Sequence, residues 1–182
     1  MNHTDLRSEE NLTRETMHLA CVYGWLSPGW DQQRYGCQID KSPYPDSGDL
    51  IVDQMEASRI VWSMTNQPSP INHWLFYAYG DDNATDWLWH GRMTACEFRR
   101  EINYDIPWLA LQDFRRRVIG LPRLSDEILI TTLSKDKDWK PKYDRILDRI
   151  QGWDATGVGY VSVVVREIYE GRRSSQQSMN VG

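Results

Sequence analysis

Apolar residues recur along this chain at helical rather than strand spacing, and the plainest pattern runs from Ser125 to Trp153. Ser125 predicts an N-cap, followed by Asp126 and Glu127 where negative charge suits a helix N-terminus. Ile128, Leu129 and Leu133 give a short helix one apolar face. The polar run Ser134-Lys135-Asp136-Lys137 interrupts it. Asp138 reads as a second N-cap, with Trp139, Tyr143, Ile146, Leu147 and Ile150 at i, i+4, i+7, i+8 and i+11. Pro141 falls in the first turn, where its missing N–H has no intrahelical partner to lose. Helix, short turn and longer helix, at about 125–152, outline a helix-turn-helix.

The same reading extends along the chain. A helix is expected from about Ser8 to Trp25, with Leu12, Leu19, Val22 and Tyr23 inside. Residues 26–48 are rich in Gly, Pro and polar side chains and predict a long irregular loop, a length that points to a functional segment. Asp49 to about Met64 returns to helix through Leu50, Met55, Ile60, Val61 and Met64. Ser69 as N-cap with Pro70 at the first helical position starts the next. Its apolar face is Ile71, Trp74, Leu75, Ala78 and Tyr79, and Gly80 stops it. A short turn through Trp87 and Leu88 closes near Gly91. Thr94-Ala95-Cys96-Glu97 matches a capping box, which predicts a helix to about Ile102. Pro107 starts another, with Trp108, Leu111, Phe114 and Val118 inside, ended by Gly120 and Pro122. Asp154 can cap a last segment. Its valines suit a strand as well as a helix, and helix is expected because the chain offers few strands to pair with. The prediction is an all-α fold: an N-terminal helix and loop over 1–48, a compact helical body over 49–170, and a disordered tail over 171–182.

Composition narrows the class. Nine Trp, nine Tyr and 40% hydrophobic residues in 182 indicate a folded chain with a core. No apolar run is long enough to span a bilayer and the polar N-terminus lacks a signal-peptide core, so no membrane partner and a cytoplasmic setting are expected. Cys21, Cys37 and Cys96 are odd in number and lack CxxC spacing, which fits free thiols and makes no zinc site.

The net charge of −5 argues against a general nucleic-acid coat. Its distribution is uneven. Arg99 to Arg145 holds eleven basic and eight acidic residues, a local balance of +3 against −8 for the remainder. Lys135, Lys137, Lys140, Lys142 and Arg145 crowd the turn and the start of the second helix. Cations there oppose the helix dipole, a cost that a phosphate partner would offset. Arg115-Arg116-Arg117 is the densest cationic cluster and suits phosphate positioning. The plainer alternatives are a solvated helical hairpin, which Asp136, Asp138 and Asp144 favour, and a solvated arginine face.

Catalytic signatures are missing: there is no P-loop, GxGxxG, HExxH or nucleophile elbow. His3, His18, His73 and His90 are scattered. His73 reads as a half-buried helix residue rather than a general base, and His90 could approach Glu97. Two such residues without a third make no metal or catalytic site. Asp81-Asp82 reads as a solvated turn. No enzyme, cofactor or metal is expected.

The order INHWLFYAYG, MTACEF, WLALQDFRRRV and DWKPKYDRILDRI resembles one branch of the late-gene antitermination Q proteins of lambdoid bacteriophages. The matching positions are Trp74, Leu75, Tyr77, Tyr79 and Gly80; Cys96, Glu97 and Phe98; Trp108, Leu109, Ala110 and Gln112; and Trp139 and Tyr143. They lie within residues 47–153. Departures are a short segment before the hairpin, and Pro141 and several acids in the second helix. The cysteine-rich zinc-binding segment of the lambda-type branch is absent, so no metal is carried over. The resemblance implies a transcription factor that binds double-stranded DNA at a late promoter. It would join sigma-bound, paused bacterial RNA polymerase and make it read through terminators. Two alternatives stand beside it: an ordinary helix-turn-helix repressor or activator, and a helical adaptor or inhibitor that binds protein alone.

Overall fold

The computed structural model describes residues 3–24, 54–80, 86–98 and 103–179. All regular structure among them is helical: α1 (His3–Gly24), α2 (Gln54–Thr65), α3 (Ile71–Tyr79), α4 (Trp87–Cys96), α5 (Asp105–Val118), α6 (Asp126–Leu133) and α7 (Trp139–Met179). The expected loop over 26–48 and the Asp81-Asp82 turn lie outside the described residues. The chain divides into two compact units, Met1–Thr65 with Val158–Gly182, and Asn66–Gly157. Helix α7 supplies residues to both units, and it reaches Met179, so residues 171–179 of the expected disordered tail are helical.

Among the described residues of the first unit, the core is made of small and aliphatic side chains. Thr13, Thr16, Met17, Ala20 and Cys21 form one buried face of α1, at helical spacing. Leu12, Leu19 and Val22, the expected core, are only half-buried. Ala57, Ile60 and Met64 are the buried residues of α2, with Cys21 Sγ 3.9 Å from Met64 Sδ. Met55 and Trp62 point outward at 75% and 70% exposure. Val161, Val165 and Ile168 complete this core from α7, so the valine-rich segment is helical. An Arg59–Glu167 ion pair at 3.0 Å closes it at the surface.

The second unit is built around α3. Trp74, Leu75, Tyr77, Ala78 and Tyr79 are all buried, as their spacing predicts, except that Tyr77 joins the face. The helix begins after Ser69-Pro70, and Pro70 occupies the capping position without a side-chain bond, so Ser69 is not the cap. Phe114 of α5 meets the Trp74 ring edge-on at 5.5 Å. Trp87 stacks on Tyr77 at 5.1 Å and donates its indole N–H to the Tyr77 carbonyl.

Two expected breaks are absent. Helix α4 runs through Gly91 to Cys96, and Thr94 is buried inside it, its hydroxyl bonded to the His90 carbonyl at 2.9 Å instead of capping. Likewise α7 passes through Gly152 without interruption, and Asp154 is no cap. Its carboxyl is buried and accepts from Trp74 Nε1 at 3.0 Å and Tyr79 Oη at 2.7 Å. These glycines play opposite parts. A Cβ at Gly91 would lie 2.7 Å from the Tyr77 ring and 3.2 Å from Trp108, whereas one at Gly152 meets nothing within 4 Å. Overpacking against rigid rings outweighs the helix-propensity gain, so Gly91→Ala is expected to cost about 1–2 kcal/mol. Gly152→Ala should instead stabilise by about 0.5–1 kcal/mol. Urea midpoints of the two variants, moving in opposite directions, are the check.

Candidate nucleic-acid interface

Helix α5 ends in the manner its sequence predicts. Gly120 adopts φ 77°, its N–H bonding to Arg117 O at 3.2 Å, while Leu121 N–H bonds to Arg116 O at 2.7 Å. That paired closure needs a left-handed residue, for which glycine carries no Cβ penalty. The chain then runs extended to Ser125, whose Oγ accepts from Ile128 N–H at 3.3 Å and so caps α6 as expected. Leu129 and Leu133 face inward, but Ile128 is exposed and drops out of the expected apolar face.

The turn over 134–138 is organised by Asp136. Its own N–H bonds to Leu133 O, and its carbonyl accepts from Trp139 N–H. Its carboxylate accepts from Asp138 N–H at 3.1 Å and from Lys142 Nζ at 2.7 Å. The side-chain bond that fixes the entry to α7 therefore comes from Asp136, two residues before the expected cap. Lys142, then the Asp138 amide, hold the Asp136 carboxyl below its usual range. On α7, Tyr143, Ile146, Leu147 and Ile150 are buried and Trp139 is half-buried, as the spacing predicts.

A buried carboxylate ties this two-helix element to α5. Asp113 is fully buried; its Oδ1 accepts from Leu124 N–H at 2.8 Å and its Oδ2 from Arg123 Nη2 at 3.1 Å. Arg117 Nη2 approaches to 3.7 Å. The Tyr143 hydroxyl is also buried, without a hydrogen bond of good geometry. Burial, and then the negative charge of Asp113, push that phenol well above its ordinary range. The sequence gives no sign of Asp113's role, since an acid on a helix bearing three arginines reads as a surface residue.

The arginine cluster is engaged within the protein. Arg115 Nε donates to Tyr77 O at 2.9 Å and its guanidinium lies 4.5 Å from the Trp87 ring centroid. Arg116 Nε donates to Pro122 O at 2.6 Å, and Arg117 sits between Asp113 and the Phe114 ring. The five cations of the turn divide. Lys140 pairs with Asp144, and Lys142 with Asp136. Lys135, Lys137 and Arg145 are exposed and bond to no described residue. Of the five predicted cations, three exposed ones thus remain without an ion pair, with the exposed acids Asp138, Asp144 and Asp148 close to them in sequence.

Elsewhere, Cys21 and Cys96 form no disulfide, and no group of three or more metal-binding side chains occurs among the described residues. No helix there is long and apolar enough to cross a membrane. Comparison with known proteins returns nothing: no family model, no curated protein and no solved structure matches this chain.

Proposed function

We propose that this chain is a DNA-binding transcription factor that acts as a phage-type antiterminator. It binds DNA at a late promoter, joins sigma-bound paused RNA polymerase and carries that enzyme through terminators. The observation that carries the reading is the α6–turn–α7 element, with Lys135, Lys137 and Arg145 unpaired at its open end. Cations at the turn and in the first coils of a second helix suit contact with phosphates and groove edges. Three free cations give weak, salt-sensitive binding. A second contact, to polymerase, supplies the missing affinity through effective concentration.

The antitermination part rests on the resemblance to the Q proteins. Trp74, Leu75, Tyr77, Tyr79, Phe98, Ala110 and Tyr143, which carry much of it, are buried. They support a common helical arrangement, and the surface cations supply the DNA contact. A protein-only adaptor is the second reading. It is favoured by the ion pairs that neutralise Lys140 and Lys142 and by the exposed Ile128 and Ile130 on α6.

The deciding experiment is in vitro transcription with bacterial holoenzyme on the promoter region following this protein's own gene, placed ahead of an intrinsic terminator. Read-through that rises with the protein, and only on that promoter, is the expected result. Repressed initiation without read-through would point to the repressor, and no effect together with no DNA affinity at low salt would leave the adaptor. Charge reversal should sort the cations. Lys135→Glu and Lys137→Glu are each expected to abolish promoter-specific loading, and Lys137→Ala to lower the salt slope of binding by about 1. Arg115→Gln, by contrast, should act on stability.

A further inference from the structure

Two histidines of the second unit face each other across α3 and α4. His73 on α3 and His90 on α4 bring their Nδ1 atoms to 3.1 Å, with ring centroids 5.3 Å apart. Packing holds both rings. Phe76 stacks on His90 at 4.9 Å, and Trp89 stands edge-on to His73 and His90 at 5.0 Å from each. His90 thus meets His73 in place of the expected Glu97, and it is His73 that feels the Glu97 carboxylate.

A contact between two ring nitrogens has room for one hydrogen, so one imidazole donates and the other accepts. Burial pushes both rings below the ordinary histidine range, and at neutral pH both are neutral. Two carboxylates act against burial. Glu97 does so at His73, and Asp86 at His90, whose Nε2 lies 3.9 Å from Asp86 Oδ2. His73 itself adds to the lowering at His90. Among the described residues these are the charged groups that act on the pair, and Phe76 and Trp89 bring it none.

The two protons that acid adds to such a pair are not equivalent. The first goes to the outer Nε2 of the donor ring, and Asp86 favours His90 for that part. The Nδ1–H···Nδ1 bond survives it as a charge-assisted one. The second can go only to the Nδ1 lone pair that accepts this bond, on His73. It sets N–H against N–H and cation against cation, in rings that their neighbours hold in place. We propose that His73 and His90 form an acid-operated clasp between α3 and α4, which holds with one added proton and opens with the second. Helix α4 begins at Trp87, whose ring stacks on Tyr77 and faces the Arg115 guanidinium. Movement of α4 therefore uncovers a buried tyrosine and releases one member of the arginine triplet from its ring contact. The clasp is independent of the DNA reading, and the failure of either leaves the other standing.

Histidine ring-nitrogen resonances and amide hydrogen exchange, corrected for its intrinsic pH dependence and followed together on the full chain through acid titration, test this. Separated rings titrate at about 6.5, while the clasped pair carries one proton fewer. The clasp is thus complete above that pH and weakens as pH falls below it. The expected result is two separate titration steps, with the amides of α4 losing protection about tenfold per pH unit in the second. Those of α5 should keep theirs. His73→Asn and His90→Asn, whose amide replaces the Nδ1 partner but takes up no proton, should abolish the acid loss in α4. Two charged imidazoles with α4 still protected would overturn the clasp. So would joint loss of protection in α4 and α5, or an acid loss that persists in both Asn variants. The wild-type titration decides the matter even if a variant fails to fold.

Discussion

Asp154→Ala is expected to destabilise the protein by about 3–4 kcal/mol, the largest effect among the changes considered. The carboxyl is buried inside a helix and accepts from two buried donors, Trp74 Nε1 and Tyr79 Oη. Removing the acceptor of a buried donor costs about 1–3 kcal/mol each, beyond the loss of the bond itself. Domains of this size have about 5–15 kcal/mol in total, so the variant would sit near the edge of folding. Asp154→Asn keeps an oxygen in the same place and should lose only about 1 kcal/mol. Urea unfolding followed by tryptophan fluorescence and far-ultraviolet circular dichroism separates the two. Equal losses in both variants would show that the carboxyl acts through something other than accepting these bonds.

Asp113→Ala should cost about 2–3 kcal/mol and uncouple the α6–α7 element from α5. Here the partners must be weighed. Arg123 is 58% exposed, so its ion pair is screened and contributes at the low end, about 0.5 kcal/mol. The bond from Leu124 N–H to a fully buried carboxylate is the stronger term, at about 1.5–3 kcal/mol. The ranking follows: Asp113→Ala loses most, Asp113→Asn less, Arg123→Ala least. Asp113 lies on α5 and Leu124 just precedes the cap of α6, so loss of that bond frees the element to rotate as a body. Under the proposed function, DNA affinity should fall in Asp113→Ala while helix content stays nearly constant. A variant with unchanged affinity and lowered stability would confine Asp113 to the core.

The parts of this fold legible in the sequence are those set by local physics. The apolar spacing of α3, its end at Gly80, the Gly120 closure and the Ser125 cap are each written within a few residues. What was not legible depends on partners far along the chain. Gly91 reads as a break until the Tyr77 ring occupies the space where its Cβ would be. Asp154 reads as a cap because its donors lie 80 and 75 residues away. Thr13, Thr16 and Ala20 are too small or too polar to mark a core face by hydropathy, yet they are the buried side of α1.

The candidate surface follows the same division. The turn between α6 and α7 was readable from its polar run and the Ser125 cap before it, though its own capping bond comes from Asp136 and not from Asp138. Which lysines remain available was not, because that depends on Asp136 and Asp144 reaching Lys142 and Lys140. The arginine triplet shows the limit most clearly. Three adjacent cations read as one charged face, but successive helix residues point about 100° apart. They reach the Tyr77 carbonyl, the Pro122 carbonyl and the Asp113 carboxylate, three different partners.

The bonds around the 134–138 turn also set an order of assembly. The widest of them, from Lys142 to Asp136, spans six residues. Chain closure over about ten residues takes only about 10–100 ns. Asp113 must find Leu124 eleven residues on, and Asp154 must find Trp74 across 80. Loop entropy rises with each of these separations, so the turn closes first, its tether to α5 second and the aromatic core last. A refolding signal from Trp139 should accordingly run ahead of one from Trp74. The nascent chain would then carry the α6–α7 turn as a finished piece before the aromatic core around it has formed.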